Sequence, residues 1–198
     1  MVTIFGSDVN IELIAVILGL VQVLFQILQS NVMWFFAIVS AIFYAILYAD
    51  TKLYALLAMD IYNIAISVYG LFQYVKVKRE VKKEGHDEKI QIRKLTRRVL
   101  WFSLSSTLVL TVVVAMVNSG LGDPYPIPDA ALGVAAMLGM FYLSRQYIEN
   151  WYVWLISDVL SVAFYIYIGF HWTAVLYSVY VLSSIVGLNK WKKEGIRI

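Results

Sequence analysis

Long apolar runs separated by short polar turns dominate the chain, and seven of them read as helices able to cross a membrane. They run at Ile11–Leu28, Met33–Ala49, Leu53–Val75, Val99–Val117, Ala130–Ile148, Trp151–Phe170 and Trp172–Leu188. Most approach the ~20 residues needed to cross ~30 Å of hydrocarbon. Arg145 interrupts the fifth, but an arginine near a helix end can snorkel to the interface and leave the span intact. The runs are too long and too uniform for the ~10-residue alternation of a membrane β-barrel. The pattern therefore predicts an all-α membrane protein with seven transmembrane helices.

The pattern also repeats. A shift of 120 positions lays Ala15, Leu18, Gly19, Gln26 and Trp34 on Ala135, Leu138, Gly139, Gln146 and Trp154. A shift of 117 lays Ser67, Gly70, Leu71 and Lys76 on Ser184, Gly187, Leu188 and Lys193, with Tyr74 over Trp191. The change of offset implies a three-residue length difference in one loop. Each copy holds three segments and the fourth lies unmatched between them, which predicts a parallel 3+1+3 arrangement. The divisions are 1–76 for the first repeat, 77–128 for a basic loop, linker helix and outer Gly/Pro loop, and 129–198 for the second repeat with a basic tail. Asn118–Pro128 holds two glycines and three prolines, a density of breakers that argues against helix there. Ala15 and Gly19, and Ala131, Ala135 and Gly139, recur at the four-residue spacing of close helix packing in lipid. A duplicated three-helix bundle is a plan for a transporter with its substrate site between the copies.

Composition agrees. The hydrophobic fraction is 61%, charged residues make up 15%, and mean hydropathy is +0.75, far from the balance of a soluble domain. Lys76–Arg98, the tail and Arg145 hold all but Lys52 of the 16 basic residues. With seven spans these share one face, whereas six or eight would split the loop from the tail. By the positive-inside rule that face is cytoplasmic, so the N-terminus is expected outside and the C-terminus in the cytoplasm of a multi-pass plasma-membrane protein. The pI near 9 then calls for anionic lipid as neighbour and for no nucleic acid. The first apolar segment lacks a basic leader and cleavage site, so it is expected to stay as a span. The absence of cysteine excludes disulfides and thiolate metal sites.

Few polar residues fall inside the spans. Trp151, Trp154 and Asp158, three and four apart, lie on one face of the sixth helix. A mid-membrane aspartate costs about 2.5–3.5 kcal/mol and belongs in the bundle interior or a water-filled cavity. The third segment offers Asp60, Asn63 and Ser67 on one stripe, with Tyr62 offset and Gln73 near the inner end. Trp34 of the second segment completes the candidate substrate-binding set. Carboxylates beside indoles suit an organic cation, since an aromatic face adds about 1–2 kcal/mol when desolvated. Structural alternatives stand beside each role: an interfacial anchor for Trp151, and interhelical hydrogen bonds for Asp158, Asn63 and Ser67.

The stretch Asp129-Ala130, Tyr142–Glu149, Asn150-Trp151-x-x-Trp154 and Asp158 resembles the PnuC family of vitamin-precursor transporters, as do Glu12…Gly19 and Tyr69-Gly70-x-x-Gln73. The resemblance covers nearly the whole chain and implies a fold similar to the SWEET sugar transporters. It implies uptake of nicotinamide riboside for NAD biosynthesis, or of thiamine or riboflavin, by facilitated diffusion with alternating access and trapping by cytosolic phosphorylation. It also implies a homo-oligomer, a trimer, and the substrate contacts Trp151, Trp154 and Asp158. No cofactor or metal is expected.

Other classes fit less well. A coupled pump would show more intramembrane ionisable groups than Asp60 and Asp158, with Glu12 and His171 near the outer boundary. Lys190, the one candidate for a retinal linkage, falls at the membrane exit. The two histidines, His86 and His171, lie outside the spans and build neither a Ser-His pair nor a metal cluster, so an enzyme is not expected. A seven-helix receptor stays open on composition, although internal duplication is not expected of one.

Overall fold

The computed structural model describes residues 11–50, 54–83, 90–169 and 171–197. Seven helices account for nearly all of them: α1 (Ile11–Ile27), α2 (Val32–Asp50), α3 (Tyr54–Lys83), α4 (Arg97–Gly120), α5 (Pro126–Ser144), α6 (Asn150–Tyr167) and α7 (His171–Glu194). At ~1.5 Å rise per residue even the 17-residue α1 spans about 26 Å. Among the described residues α4 and α5 are apolar enough over sufficient length to cross a membrane on composition alone. Trp101, Phe102, Leu108 and Met116 of α4 are exposed, a surface suited to lipid.

Several helix ends differ from those the apolar pattern marks. α3 continues to Lys83, beyond the expected end at Val75, because Lys76–Lys83 is rich in good helix formers. Hydropathy marked where the apolar stretch stops, and the helix simply continues past it. Arg145 does not interrupt α5 but caps it, after the last helical residue Ser144. The breaker-rich stretch is also more helical than expected. α4 runs to Gly120, and α5 starts at Pro126, where a missing N–H costs nothing in the first turn. Only Leu121–Tyr125 lies between them, held by Asp123 N–H donating to the Asn118 carbonyl and Tyr125 N–H to Asp123 Oδ1 at 2.8 Å.

The chain forms two compact units, residues 1–88 and 89–198. In the first, α2 packs against both α1 and α3. In the second, α5 packs against α4 and α6, and α6 against α7. A glutamine in the left-handed region leads into α2 in the first unit and into α6 in the second, Gln29 (φ 48°) and Gln146 (φ 60°), uncommon for a residue with a side chain. These two are 117 positions apart.

Each unit also seats a tryptophan on a glycine. The Trp34 ring lies over Gly70 so closely that a Cβ there would overlap it, and Trp151 lies over Gly187 in the same way. This spacing is 117 as well. It pairs Trp34 with Trp151 and corrects the 120-residue match of Trp34 to Trp154 and of Gln26 to Gln146. No three-residue loop difference is needed from Gln29 onward.

One small feature departs from an entirely helical chain. Strands β1 (Ile90–Ile92) and β2 (Gly195–Arg197) pair in parallel, with Ile90 opposite Gly195 and Ile92 opposite Arg197. Arg93 N–H donates to the Gln146 carbonyl at 3.0 Å. The segment before α4, the α5–α6 turn and the tail thus meet at one end of the second unit. Gly195 is tight against Ile92 and the Trp191 carbonyl, which leaves no room for a side chain.

Candidate functional site

In the second unit the polar face of α6 divides between two neighbours. Trp151 is 1% exposed, seated on Gly187 of α7 and edge-to-face with Trp191 at 5.6 Å and 85°. Asp158, two turns along the same face, also meets α7, where Ser184 Oγ donates to its Oδ2 at 3.3 Å. Trp154 turns the other way: its ring packs on Gly139 of α5, 2.7 Å from where a Cβ would stand. Three residues advance a helix by ~300°, so Trp154 is offset by about 60° from Trp151, enough to change neighbours. Trp154 is half-buried and its indole N–H has no partner in the protein.

Asp158 has further company. Tyr177 of α7 interacts with it electrostatically and is a hydrogen-bond partner of Tyr165 of α6, the two rings stacking at 5.2 Å. The carboxylate is 5% exposed and held by hydroxyl chemistry from its own unit. At the far end of α5, Asn118 Nδ2 donates to Asp129 Oδ2 at 3.0 Å.

In the first unit Asp60 is 8% exposed. Asn63, three residues along α3, hydrogen-bonds its carboxyl, and the other oxygen, Oδ2, has no partner in the protein. Ser67, on the same stripe and wholly buried, has an unpartnered hydroxyl. Trp34 is 1% exposed and fills the notch at Gly70. Gln73 donates to Tyr69 Oη at 3.1 Å, and Tyr62 is half-buried with an interaction of its own.

The eight candidate positions thus fall into two groups. Asp60, Trp154, Trp34 and Trp151 each have a polar atom without a partner in the protein, whereas Asn63, Asp158 and Gln73 are hydrogen-bonded within their own units and Tyr62 has an interaction of its own. Tyr177, Tyr165 and Ser184 were not among the candidates, and their link to Asp158 is a tertiary contact with no signature in spacing. Gly139 and Gly187 emerged from repetition, without a sign that each receives a tryptophan. The side chains of Glu12, Lys52 and His86 lie outside the described residues. Among the described residues no group of three or more His, Asp or Glu could hold a metal ion.

Comparison with known proteins gives a consistent picture. Residues 10–193 match the family described as "Nicotinamide mononucleotide transporter". A relative from Escherichia coli (strain K12), named nicotinamide riboside transporter PnuC, is 23% identical over 94% of this chain and 87% of its own. A relative from Streptomyces davaonensis, named riboflavin/roseoflavin transporter RibM, is 26% identical over 64% of this chain and 59% of its own. A solved structure described as that of the vitamin B3 transporter PnuC superposes with a TM-score of 0.70 at 20% identity, covering 96% of this chain and 83% of the other. That likeness shows a shared fold.

Proposed function

The chain belongs to the nicotinamide mononucleotide transporter family, and we propose that it is the uptake route for a vitamin precursor, nicotinamide riboside first among them. The observation that carries this reading is the set of polar groups left available in otherwise apolar surroundings. Asp60 Oδ2 and the Trp154 indole lack protein partners, and they suit a ligand with a cationic aromatic ring. An indole face such as that of Trp154 offers such a ring a stacking surface, and a buried carboxylate such as Asp60 offers it a counter-charge.

The rest of the mechanism follows from the repeat. The 117-residue correspondence of Gln29 with Gln146, Trp34 with Trp151 and Gly70 with Gly187 supports two parallel three-helix repeats joined by α4. Alternating access is the mode of transport that such a duplication suits. The basic residues before α4 and in the tail support a cytoplasmic C-terminus and an outer N-terminus, in a multi-pass plasma-membrane protein. With so few ionisable groups in the helices, movement is downhill, and phosphorylation inside the cell keeps the vitamin there. Likeness to RibM favours riboflavin as the second reading.

Calorimetric titration of the purified protein with nicotinamide riboside, thiamine and riboflavin tests this, with the phosphorylated forms as controls. Tight binding of nicotinamide riboside, lost on phosphorylation, is the expected outcome. Binding of riboflavin alone replaces the substrate, and binding of none removes the proposal.

A further inference from the structure

The two buried carboxylates differ in what they lack. Asp158 has a hydroxyl donor in Ser184 and Tyr177 beside it. Asp60 has Asn63 on one oxygen and no protein partner on the other. A carboxylate buried without full pairing is costly, and the cost is relieved by whatever brings a positive charge to it. A cationic ligand therefore meets an unpartnered buried oxygen at Asp60, whereas at Asp158 the Ser184 hydroxyl already donates to the carboxylate.

The internal correspondence gives independent support. At the 117-residue spacing fixed by the two Trp–Gly seats, Asp60 falls on Tyr177 and Asp158 falls on Ala41. The acids are not repeat mates: one stands on a third helix, the other on a second. In the second unit, the place that corresponds to Asp60 is taken by a tyrosine that attends Asp158. The first unit has a buried alanine where Asp158 would be. Nothing in the duplication requires the two acids to share a role.

We infer that Asp60 is the charge-selecting residue, the counter-ion for the cationic ring of the transported vitamin, and that Asp158 is a positioning residue that fastens α6 to α7. This rests on the transport reading above and assigns its charge selectivity to one carboxylate. The probe pair is nicotinamide riboside, a pyridinium cation, and its reduced dihydropyridine form, which has nearly the same shape without the charge.

The experiment is calorimetric titration of both forms against wild type, Asp60→Asn and Asp158→Asn. Wild type is expected to prefer the cation. Asp60→Asn should lose about a hundredfold in affinity for the cation and little for the neutral form. Asp158→Asn should weaken both forms alike and lower the melting temperature. If Asp60→Asn fails to fold, Asp60→Ser is read the same way, since it also removes the charge and leaves a small polar side chain. An unchanged cation-to-neutral ratio in the Asp60 variants, or a cation-selective loss in Asp158→Asn, overturns the assignment while leaving transport intact. Failure of wild type to bind either form, or thiamine or riboflavin, instead overturns the transport reading itself.

Discussion

In the first unit a buried tryptophan, Trp34, closes onto Gly70 of α3; in the second, Trp151 closes onto Gly187 of α7. The joints are built alike, from the same residue types at the same spacing. Around them the units diverge. The second adds Trp191 edge-to-face on Trp151, a strand pair at the same end, and a serine hydroxyl that donates to Asp158. The first has Tyr74 at the place of Trp191 and leaves Asp60 Oδ2 and the Ser67 hydroxyl unpartnered, whereas the unpartnered buried atoms of the second include Glu149 Oε2 and Asn150 Oδ1, near the start of α6. Packing has stayed constant where two helices must approach closely, and polar chemistry has varied around it.

Filling the joints should do the most damage. A methyl group at Gly70 or Gly187 overlaps an indole that is 1% exposed and has nowhere to go. Gly187→Ala and Gly70→Ala should each cost about 1–3 kcal/mol, as overpacking does. Gly187→Ala should be the worse, because Trp191 blocks the retreat of Trp151. Gly139→Ala presses on the half-buried Trp154 and should cost less stability but more vitamin affinity. Thermal unfolding of detergent-purified protein checks the order, and equal shifts at all three positions would show that the seats are not specific.

The apolar runs revealed the seven helices because each run is long enough to permit little else. They did not reveal where helices stop, as α3 illustrates by continuing through eight largely charged residues. The repeat was legible, but its register was not. Trp151 and Trp154 are three apart, and so are Gln26 and Gln29, so residue identity alone fits a shift of 120 as well as one of 117. Only contact with the glycines decides between them. Likewise, spacing put Trp151, Trp154 and Asp158 on one face of α6, but which neighbour each meets depends on where α5 and α7 lie. The strand pair had no signal at all, being three residues long and held mainly by backbone.

That strand pair supplies the next test. Gly195 lies against Ile92 and the Trp191 carbonyl, so Gly195→Val should separate β2 from β1. The loss is a few partly exposed hydrogen bonds, about 1 kcal/mol in sum. Hydrogen exchange should quicken at Ile92 and Arg93, while α1 to α3 keep their protection. Uniform quickening through both units would mean that the clasp supports more than the end of the second.

The smallest effect separates the units most cleanly. Ser184 and Ser67 correspond at 117 positions, and both are buried. Ser184 Oγ donates to Asp158, whereas Ser67 Oγ has no partner. Ser184→Ala removes a working hydrogen bond between helices, usually worth about 0.6 kcal/mol and at most about 1.7. It also leaves a buried carboxylate short of a donor. Ser67→Ala removes a buried hydroxyl that makes no bond, so it should be neutral or slightly stabilising. The two substitutions are chemically identical and occupy corresponding places, so their difference isolates the hydrogen bond from the volume change. Thermal unfolding should fall in Ser184→Ala and hold in Ser67→Ala. Equal losses would mean that Asp158 does not draw on Ser184 and that the carboxylates of the two units are alike after all.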